Sequence, residues 1–385
     1  SFSRFSSPAV LAVGGFVAAG ALSGFTAANL GVWLSDWLKW VFVFLLVLWV
    51  LSVQKWEWII AGLALAGIAN AIVGIWIYFG GSGAEHFLID GVHFRAFGTF
   101  EQPNPFGGFM GMLSPLFGAA MVGYLRIVWS QRRGQMPQLR VALLQAVFYA
   151  VAFVLTALAL VFSWSRGAWL AFGIASVVTL LSIPRRAWVR AQMFLVIAFI
   201  VAAAVMSGRL PASVVDRVGS AFSDLVNISD VRGANVSSEN YAVVERLAHW
   251  QAAVEMARLS PLTGVGLGNY EIVYPQVRLM AWPLPLGHAH NYYLNVLAEA
   301  GMIGLAAYGA MWLVIVALTW QARRHPDPVA SAVAAGLVGS WAYIAVHSLT
   351  DQLYVNYAFL HVGVMMGVSA LLYAHTWKPN RLKPQ

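Results

Sequence analysis

Stretches of about 20 mostly apolar residues recur along the whole chain, and they limit its possible folds more than any other feature. A helix needs roughly 20 such residues to cross the hydrocarbon core of a bilayer. Only 10% of the residues are charged, whereas a soluble domain has about 25%. We therefore predict an all-α polytopic membrane protein with about ten transmembrane helices, at 8–31, 38–54, 57–80, 105–129, 141–163, 167–184, 187–206, 291–320, 329–349 and 352–376.

The segments between the apolar stretches alternate in charge. Most of the Lys and Arg residues lie in the segments QKWE, SQRRGQMPQLR, IPRRAWVRAQ and QARRHPDP and in the C-terminal KPNRLKPQ. The positive-inside rule places these segments in the cytoplasm, together with both ends of the chain. The formal net charge of +8 is then explained by topology and does not indicate a nucleic-acid partner.

One long segment of mixed composition, 207–290, predicts a large, partly helical extracytoplasmic insert. It divides the chain into three parts: transmembrane helices at 1–206, the insert, and further transmembrane helices with a cytoplasmic tail at 291–385.

Within the insert, the pattern at 237–260 predicts an amphipathic helix. Ser237, Ser238 or Asn240 would cap its start, and Pro261 follows its end. The sequence PLTGVGLGNYE comes next. Because no strand precedes its glycines and no lysine follows them, they predict a tight turn and not a phosphate-binding loop.

The predicted topology brings charged and polar residues from several loops to the extracytoplasmic face. Cysteine is absent, which excludes disulfides, thiol nucleophiles and cysteine-ligated zinc. A charged side chain at the bilayer centre costs about 2.5–3.5 kcal/mol on an insertion scale, so charges near helix ends also need partners. Several arginines on one face indicate an anionic ligand. The converging residues are Arg95, Glu101, Arg166, Arg246, His290, His347 and Asp351.

Three of these arginines are candidates for binding the anion. Arg166, in the short turn of FSWSRGAWLAF, is either a snorkelling side chain or a planar donor to phosphate oxygens, helped by the following helix N-terminus. Arg246 is either a solvated helix residue paired with Glu245 or Glu239, or a second anion ligand. The aromatic neighbours of Arg95 predict an interfacial loop.

His290 stands at the start of the helix predicted at 291–320, and it is the strongest candidate for a general base. The positive end of a helix disfavours the imidazolium, which keeps the neutral ring available near neutral pH. The structural alternative is a histidine that caps its own helix or bonds a loop carbonyl. His288 is close enough in sequence to share a metal with His290. No third ligand stands at a diagnostic spacing, so we predict no metal.

Asn291, Asn295 and Glu299 recur every four residues, which places them on one helix face. Such a polar stripe is typical of a hydrogen-bonded seam, and Glu299 is expected to be structural or to help orient the site. His347 and Asp351 are four residues apart. They are compatible with a base and its orienting acid, or with a local structural contact.

Four motifs together resemble the O-antigen ligase and O-antigen polymerase superfamily. HAHNYYLNVLAEAGMIGL resembles its signature, in which a His-Asn pair opens a helix, and FGTFEQPNPFGGFM resembles its Gly-Thr-Phe…Asn-Pro-Asn motif. SWSRGAWLAF resembles its Ser-Arg-Gly element, and ERLAHWQAAVEMARLSPLTGVGLGNY resembles its Arg-x-x-x-Trp helix and Pro-Leu-x-Gly-x-Gly loop. The motifs follow the family's order and cover most of 91–305.

The resemblance implies an inverting, metal-independent glycosyltransferase without a cofactor in the bacterial inner membrane. Its donor would be an undecaprenyl-diphosphate-linked glycan, and its acceptor a glycolipid or a glycan. By motif match, Arg166 and Arg246 would bind the donor diphosphate, with Arg95 as a further anion ligand. His290 would activate the acceptor hydroxyl on the extracytoplasmic face. The resemblance also implies about twelve helices in the full chain.

Other interpretations stay open at this point. Within the superfamily, a ligase transfers to lipid A-core, a polymerase to a lipid-linked repeat unit, and a third branch to protein; the single insert and the His-Asn motif favour a ligase. A transporter of an anionic solute is the alternative from another class, although transporters usually have internal repeats and midplane sites. A metal-dependent hydrolase would need more ligands. A structural scaffold would not require the arginines and histidine to converge.

Overall fold

The computed structural model describes residues 7–89, 91–131, 136–206, 230–233, 236 and 240–376. Within these ranges the chain forms twelve α-helices and one pair of two-residue strands, β1 (Leu88–Ile89) and β2 (His93–Phe94). The helices are α1 (Pro8–Leu22), α2 (Leu30–Val53), α3 (Trp56–Gly80), α4 (Pro103–Gln131), α5 (Met136–Phe162), α6 (Arg166–Ser182), α7 (Ala187–Met206), α8 (Tyr241–Leu259), α9 (Tyr270–Val277), α10 (Tyr292–Ala322), α11 (Pro328–His347) and α12 (Ala358–Thr376).

Eight of these helices are long and apolar enough to cross a membrane: α1 with the turn after it, α2 to α5, and α10 to α12. Two further apolar helices, Arg166–Ser182 and Ala187–Ile200 within α7, are shorter. Together they account for the ten predicted stretches, and the prediction of an all-α polytopic membrane protein is confirmed. The division of the chain at 206/207 and 290/291 stays a prediction.

The largest difference from the predicted helices lies near the start of the chain. One helix was expected over 8–31 and the next from residue 38, but α1 ends at Leu22, a 3₁₀ turn follows, and α2 already begins at Leu30. The side chain of Asn29 explains the early start of α2. Its Oδ1 accepts the backbone N–H groups of Gly31 and Val32 at 2.9 and 3.1 Å, which satisfies donors that a helix start leaves unpaired.

The predicted insert helix is confirmed, with a later start. α8 begins at Tyr241 and ends at Leu259, two residues before Pro261. Asn240 occupies the N-cap position but makes no side-chain capping bond there. Ser237 and Ser238, the other predicted caps, lie outside the described residues, as do 207–229 and the tail from 377 onwards.

The described residues pack as two compact units. The first unit lies within Ser1–Ser52, Ser220–Ile315 and Ser348–Gly367, and the second within Val53–Gly219, Val316–His347 and Val368–Gln385. The first unit therefore contains α1, α2, α8, α9 and most of α10. The second contains α3 to α7 and α11.

Aromatic and glycine contacts hold the first unit together. Phe16 of α1 meets the edge of Trp40 of α2 at 4.6 Å between ring centroids. The hydroxyl oxygens of Tyr308 of α10 and Tyr354 lie 2.9 Å apart and share a hydrogen bond. Gly363 of α12 lies so close to α2 that an added Cβ would stand 3.1 Å from the Cα of Val43. Such small residues let helices approach closely in a membrane.

The second unit is built around α4 and α11, which are the most buried of its spanning helices. Their backbones nearly touch, since a Cβ added to Gly336 would lie 2.8 Å from the Cα of Leu116. The hydroxyl of Tyr343 donates to the carbonyl of Gly107 at 3.0 Å. Between α4 and α5, the hydroxyl of Ser114 donates to that of Thr156 at 2.9 Å.

Candidate active site

The segment between α8 and α9 inserts into a break in α10. Gly301 interrupts α10 with φ 65° and ψ −167°, a region that is almost restricted to glycine. On one side of the break, the carbonyls of Ala298 and Glu299 accept the backbone N–H groups of Val265 and Gly266. On the other side, the N–H groups of Met302 and Ile303 donate to the carbonyls of residues 261 and 262. The inserted segment therefore satisfies backbone groups that the break would leave unpaired.

The three alternating glycines of this segment form a tight turn, as predicted. Gly264, Gly266 and Gly268 have φ of 68°, 96° and 74°, which a side chain would disfavour. The turn also contacts the start of the chain, where the N–H of Ala28 donates to the carbonyl of Val265 at 3.1 Å. Its role in this structure is to fix α9 and α10.

The polar stripe on α10 is a structural seam, as predicted. Asn291 is the N-cap of α10, and its Oδ1 accepts the N–H of Leu294 at 3.1 Å. Asn295 Oδ1 accepts the N–H of Ala289 at 3.1 Å. One turn further, Glu299 Oε1 accepts the N–H of Tyr270 at 3.1 Å. The stripe thus ties the loop before α10 and the start of α9 to the same helix face.

This loop brings His288 and His290 against Asp351. Oδ1 of Asp351 lies 3.7 Å from Nε2 of His288 and 3.7 Å from Nδ1 of His290. Asp351 follows α11 in sequence, and its segment is fastened here by the N–H of Tyr292, which donates to the carbonyl of Ser348 at 2.8 Å. The side chain of Asp351 is only 9% exposed. The sequence placed Asp351 and His290 on one face, but the pairing considered for Asp351 was with His347.

Local bonds hold His290 in an unusual backbone conformation. Its φ of 52° is left-handed, which is uncommon for a residue with a side chain. The backbone N–H of His290 donates to Nδ1 of His288 at 3.0 Å. The carbonyl of His290 accepts the indole N–H of Trp250 at 3.4 Å. Strain of this kind persists where surrounding contacts fix it, often at functional sites.

Helix α8 contributes Arg246 and a buried histidine to the same cluster. The ring of His249 stacks on Tyr274 at 4.8 Å and meets the ring of His290 edge-on at 5.6 Å. Arg246 lies one turn before His249, and it is near enough to His288 to disfavour the protonated ring. His249 was not predicted as a site residue, although its spacing of three from Arg246 places both on one helix face.

Burial keeps two of these histidines neutral. It lowers the pKa of His249 to about 3, and the neighbouring His290 and His288 add to the effect. Burial also lowers the pKa of His288 to about 4; His290 and Arg246 lower it further, while Asp351 opposes them. Because desolvation disfavours a charged ring, both side chains are uncharged near pH 7.

The cluster has a donor set that metals also use. One ligand atom each from His288, His290 and Asp351 lies within 4.8 Å of the others. Imidazole and carboxylate suit several transition metals. The sequence argument against a metal, that a third ligand was missing, therefore does not hold for the folded chain. Whether this set binds a metal depends on which ring nitrogens carry the protons.

Arg95 and Arg166 belong to the second unit. Arg95 Nε donates to the carbonyl of Ser163 at 2.9 Å, and Nη2 donates to Asn104 Oδ1 at 2.8 Å. Arg166 is half-buried and is the first residue of α6, which follows α5 after a turn of three residues. The predicted short turn is confirmed, and Arg95 helps to build it because it binds that turn at Ser163.

The remaining predicted residues have defined surroundings. The strands β1 and β2 form a hairpin before Arg95, and His93 stacks on Tyr78 at 4.7 Å. His347 ends α11 and stacks on Tyr343 at 5.5 Å. Its pairing with Asp351 stays a prediction. Glu245, one proposed partner of Arg246, bonds the side chain of Tyr241, and the other, Glu239, lies outside the described residues.

These features define a multi-pass membrane protein with a histidine, carboxylate and arginine cluster beside a broken helix. Residues 151–309 match the family model described as O-antigen ligase. The match over these residues confirms the resemblance of the chain to the O-antigen ligase and polymerase superfamily. The matched region contains Arg166, Arg246, His288, His290 and Glu299, whereas Arg95 and Asp351 lie outside it. A search of curated proteins found no match.

Proposed function

We propose that this protein is a membrane glycosyltransferase that moves a glycan from an undecaprenyl-diphosphate carrier to an acceptor hydroxyl on the extracytoplasmic face. Within that class we propose an O-antigen ligase, whose acceptor is lipid A-core, in the bacterial inner membrane. The observation that carries the proposal is the position of His290. It lies inside the O-antigen ligase match, with a buried carboxylate 3.7 Å from its ring and Arg246 on an adjacent helix.

His290 is the proposed general base. The acceptor oxygen forms a bond to the anomeric carbon while its proton passes to the imidazole. The bond from that carbon to the diphosphate oxygen breaks, and its electron pair leaves with the diphosphate. Attack opposite to the leaving group inverts the anomeric centre. Proton transfer to a positioned side chain is typically worth about 10²–10⁴-fold in rate.

Arg166 and Arg246 are the proposed ligands of the donor diphosphate. Negative charge grows on the leaving oxygen during transfer, and fixed cations that meet this charge are among the largest contributions to catalysis. A guanidinium presents two parallel donors to phosphate oxygens. Arg95 has two donors engaged by Ser163 and Asn104. These contacts support a role for Arg95 in holding the Arg166 turn, beside the predicted contact with the anion.

The proposed reaction needs no metal, because the two arginines supply the charge that a divalent cation would bring to the diphosphate. The test is transfer by purified protein in the presence of a chelator. Activity that disappears with chelator and returns with a divalent ion would contradict this part of the proposal.

The acceptor is tested in cells. A strain that lacks the gene is complemented with the wild-type gene or with His290→Asn, and its polysaccharides are separated on a gel. A ligase predicts long glycan that stays on the isoprenoid carrier when the function is lost, and on lipid A-core when it is restored. Acceptors that carry a single repeat unit would instead identify a polymerase. An unchanged pattern in every strain would favour protein glycosylation or transport of an anionic solute.

A further inference from the structure

Asp351 is placed where one carboxylate oxygen faces two imidazoles. Its Oδ1 lies 3.7 Å from Nε2 of His288 and from Nδ1 of His290. The same oxygen accepts the N–H of Gln352 at 2.8 Å. The carboxylate is buried and belongs to a segment fastened to the start of α10, so its position relative to the rings is fixed by the fold.

The tautomer of His288 follows from its backbone contact. The N–H of His290 donates to Nδ1 of His288 at 3.0 Å, so Nδ1 must present a lone pair. A neutral imidazole carries one proton, and in His288 that proton is therefore on Nε2. Nε2 is the atom that faces Asp351, so His288 presents an N–H to the carboxylate.

The tautomer of His290 follows from the carboxylate that its ring faces. Nδ1 of His290 faces Asp351, and a carboxylate favours a proton on the nitrogen that faces it. The other nitrogen, Nε2, then carries the lone pair. Distances of 3.7 Å are long for hydrogen bonds, but such contacts commonly tighten when substrate binds.

We propose that Asp351 is the positioning residue of the transfer reaction: it holds His290 in the tautomer with the proton on Nδ1, so that Nε2 takes the proton of the acceptor hydroxyl. His288 keeps the carboxylate in place through its Nε2–H. This inference rests on the proposed function, and it adds the atom that acts as base and the two side chains that select it. The carboxylate also stabilises the imidazolium that forms during transfer.

The alternative occupant of the cluster is a divalent metal ion. A metal would need the lone pair of His288 Nε2, since that is the nitrogen near Asp351. The bond from the N–H of His290 places the proton on this same atom. The geometry therefore favours a chain of imidazoles and carboxylate over a metal centre.

The kinetic test uses Asp351→Asn in the full-length protein, reconstituted in lipid vesicles with a lipid-diphosphate-linked glycan as donor. The amide can present an N–H to Nδ1 of His290 and so favours the wrong tautomer. We expect kcat to fall by about 10²–10⁴-fold with the KM for donor changed less than about threefold. A kcat within about threefold of wild type would overturn the inference.

His288→Gln is the matched variant. Glutamine keeps an N–H donor for Asp351 but is a poor metal ligand, so we expect kcat to fall less than in Asp351→Asn while His290 keeps its proton on Nδ1. A metal site predicts instead that wild type contains one bound zinc or manganese ion, and that His288→Gln loses the ion and the activity together. That result would replace the inference with a metal centre.

A direct reading of the tautomer is independent of turnover. Nitrogen-15 spectra of histidine-labelled protein in bilayers distinguish Nδ1–H from Nε2–H, and His290→Asn identifies the His290 signals. We expect Nδ1–H in wild type and Nε2–H in Asp351→Asn. Nε2–H in wild type would refute the inference even if transfer is observed. Nδ1–H in a wild-type protein that transfers no glycan would refute the proposed function and leave the positioning by Asp351 intact.

Discussion

Replacing Gly301 by alanine should destabilise the protein at the break in α10. Gly301 has φ 65° and ψ −167°, and a residue with a side chain in this conformation is strained by about 1–3 kcal/mol. The added Cβ would also stand 2.5 Å from the backbone nitrogen of Thr263 and closer still to the carbonyl of Leu262. Relief of this overlap requires the inserted segment to move.

Movement of that segment exposes the bonds that close the break. Four backbone hydrogen bonds cross it, at 2.9–3.1 Å, and each contributes about 0.5–1.5 kcal/mol. Loss of two of them adds about 1–3 kcal/mol, so Gly301→Ala should cost about 2–6 kcal/mol in total. Transfer activity should fall as well. The inserted segment is bonded to α10, and Asn295 of α10 in turn holds the loop that contains His288 and His290.

Gly309→Ala is the control, since Gly309 lies in the same helix with open space where its Cβ would be. Alanine there should be neutral or stabilising by up to about 1 kcal/mol. The assays are thermal unfolding in lipid nanodiscs and hydrogen exchange of the amides of Val265 and Gly266. The two variants should differ by at least about 2 kcal/mol, with faster exchange only in Gly301→Ala. Equal stability and unchanged exchange would refute the account of the break.

Three further predictions follow from the cluster and its arginines. His290→Asn should abolish transfer while the unfolding temperature stays within a few degrees of wild type, because asparagine tolerates the left-handed φ; substantial residual turnover would remove the general-base role. Arg166→Lys should lower kcat/KM for the donor at least about tenfold, since lysine lacks the planar pair of donors. The control is Arg140→Lys, at an exposed position, which should leave kcat/KM unchanged. Equal kcat/KM in the two variants would argue against diphosphate binding by Arg166. The folded-state pKa of His249, about 3, lies below its usual 6.5, so the neutral ring stabilises the fold above pH 6.5 and this stability is lost as the pH falls toward 3. Acidification from pH 7 to 5 should therefore cost wild type about 2 kcal/mol more than His249→Gln, as measured by unfolding at each pH, and parallel curves would contradict this.

Features that depend on neighbouring residues could be predicted from the sequence. The apolar stretches located the membrane helices, the i, i+4 spacing of Asn291, Asn295 and Glu299 indicated a seam, and the alternating glycines indicated a turn. These signals are local, because helix periodicity and left-handed φ are properties of a few adjacent residues. Pro261 marked the end of α8 for the same reason.

Features that depend on the fold could not be predicted. Asp351 reaches His288 and His290 because its segment is bonded to the start of α10 through Ser348 and Tyr292, and no spacing in the sequence reports that contact. Gly301 lies within a continuous apolar stretch, which predicts an unbroken helix. The break in α10 depends on the segment inserted there, and the sequence does not show that contact. The cap of α2 by Asn29 was also missed, because the apolar residues before it extend the hydropathy signal of the first helix to residue 31.

The most direct test of the central claim is glycan transfer by the purified protein. Vesicles that contain wild type or His290→Asn are supplied with an undecaprenyl-diphosphate-linked glycan and lipid A-core, with chelator present, and the acceptor is analysed by mass spectrometry. The account predicts that wild type attaches the glycan to lipid A-core and releases the carrier diphosphate, and that His290→Asn does neither. Transfer by both proteins at equal rates would contradict the assignment of His290 as the catalytic base.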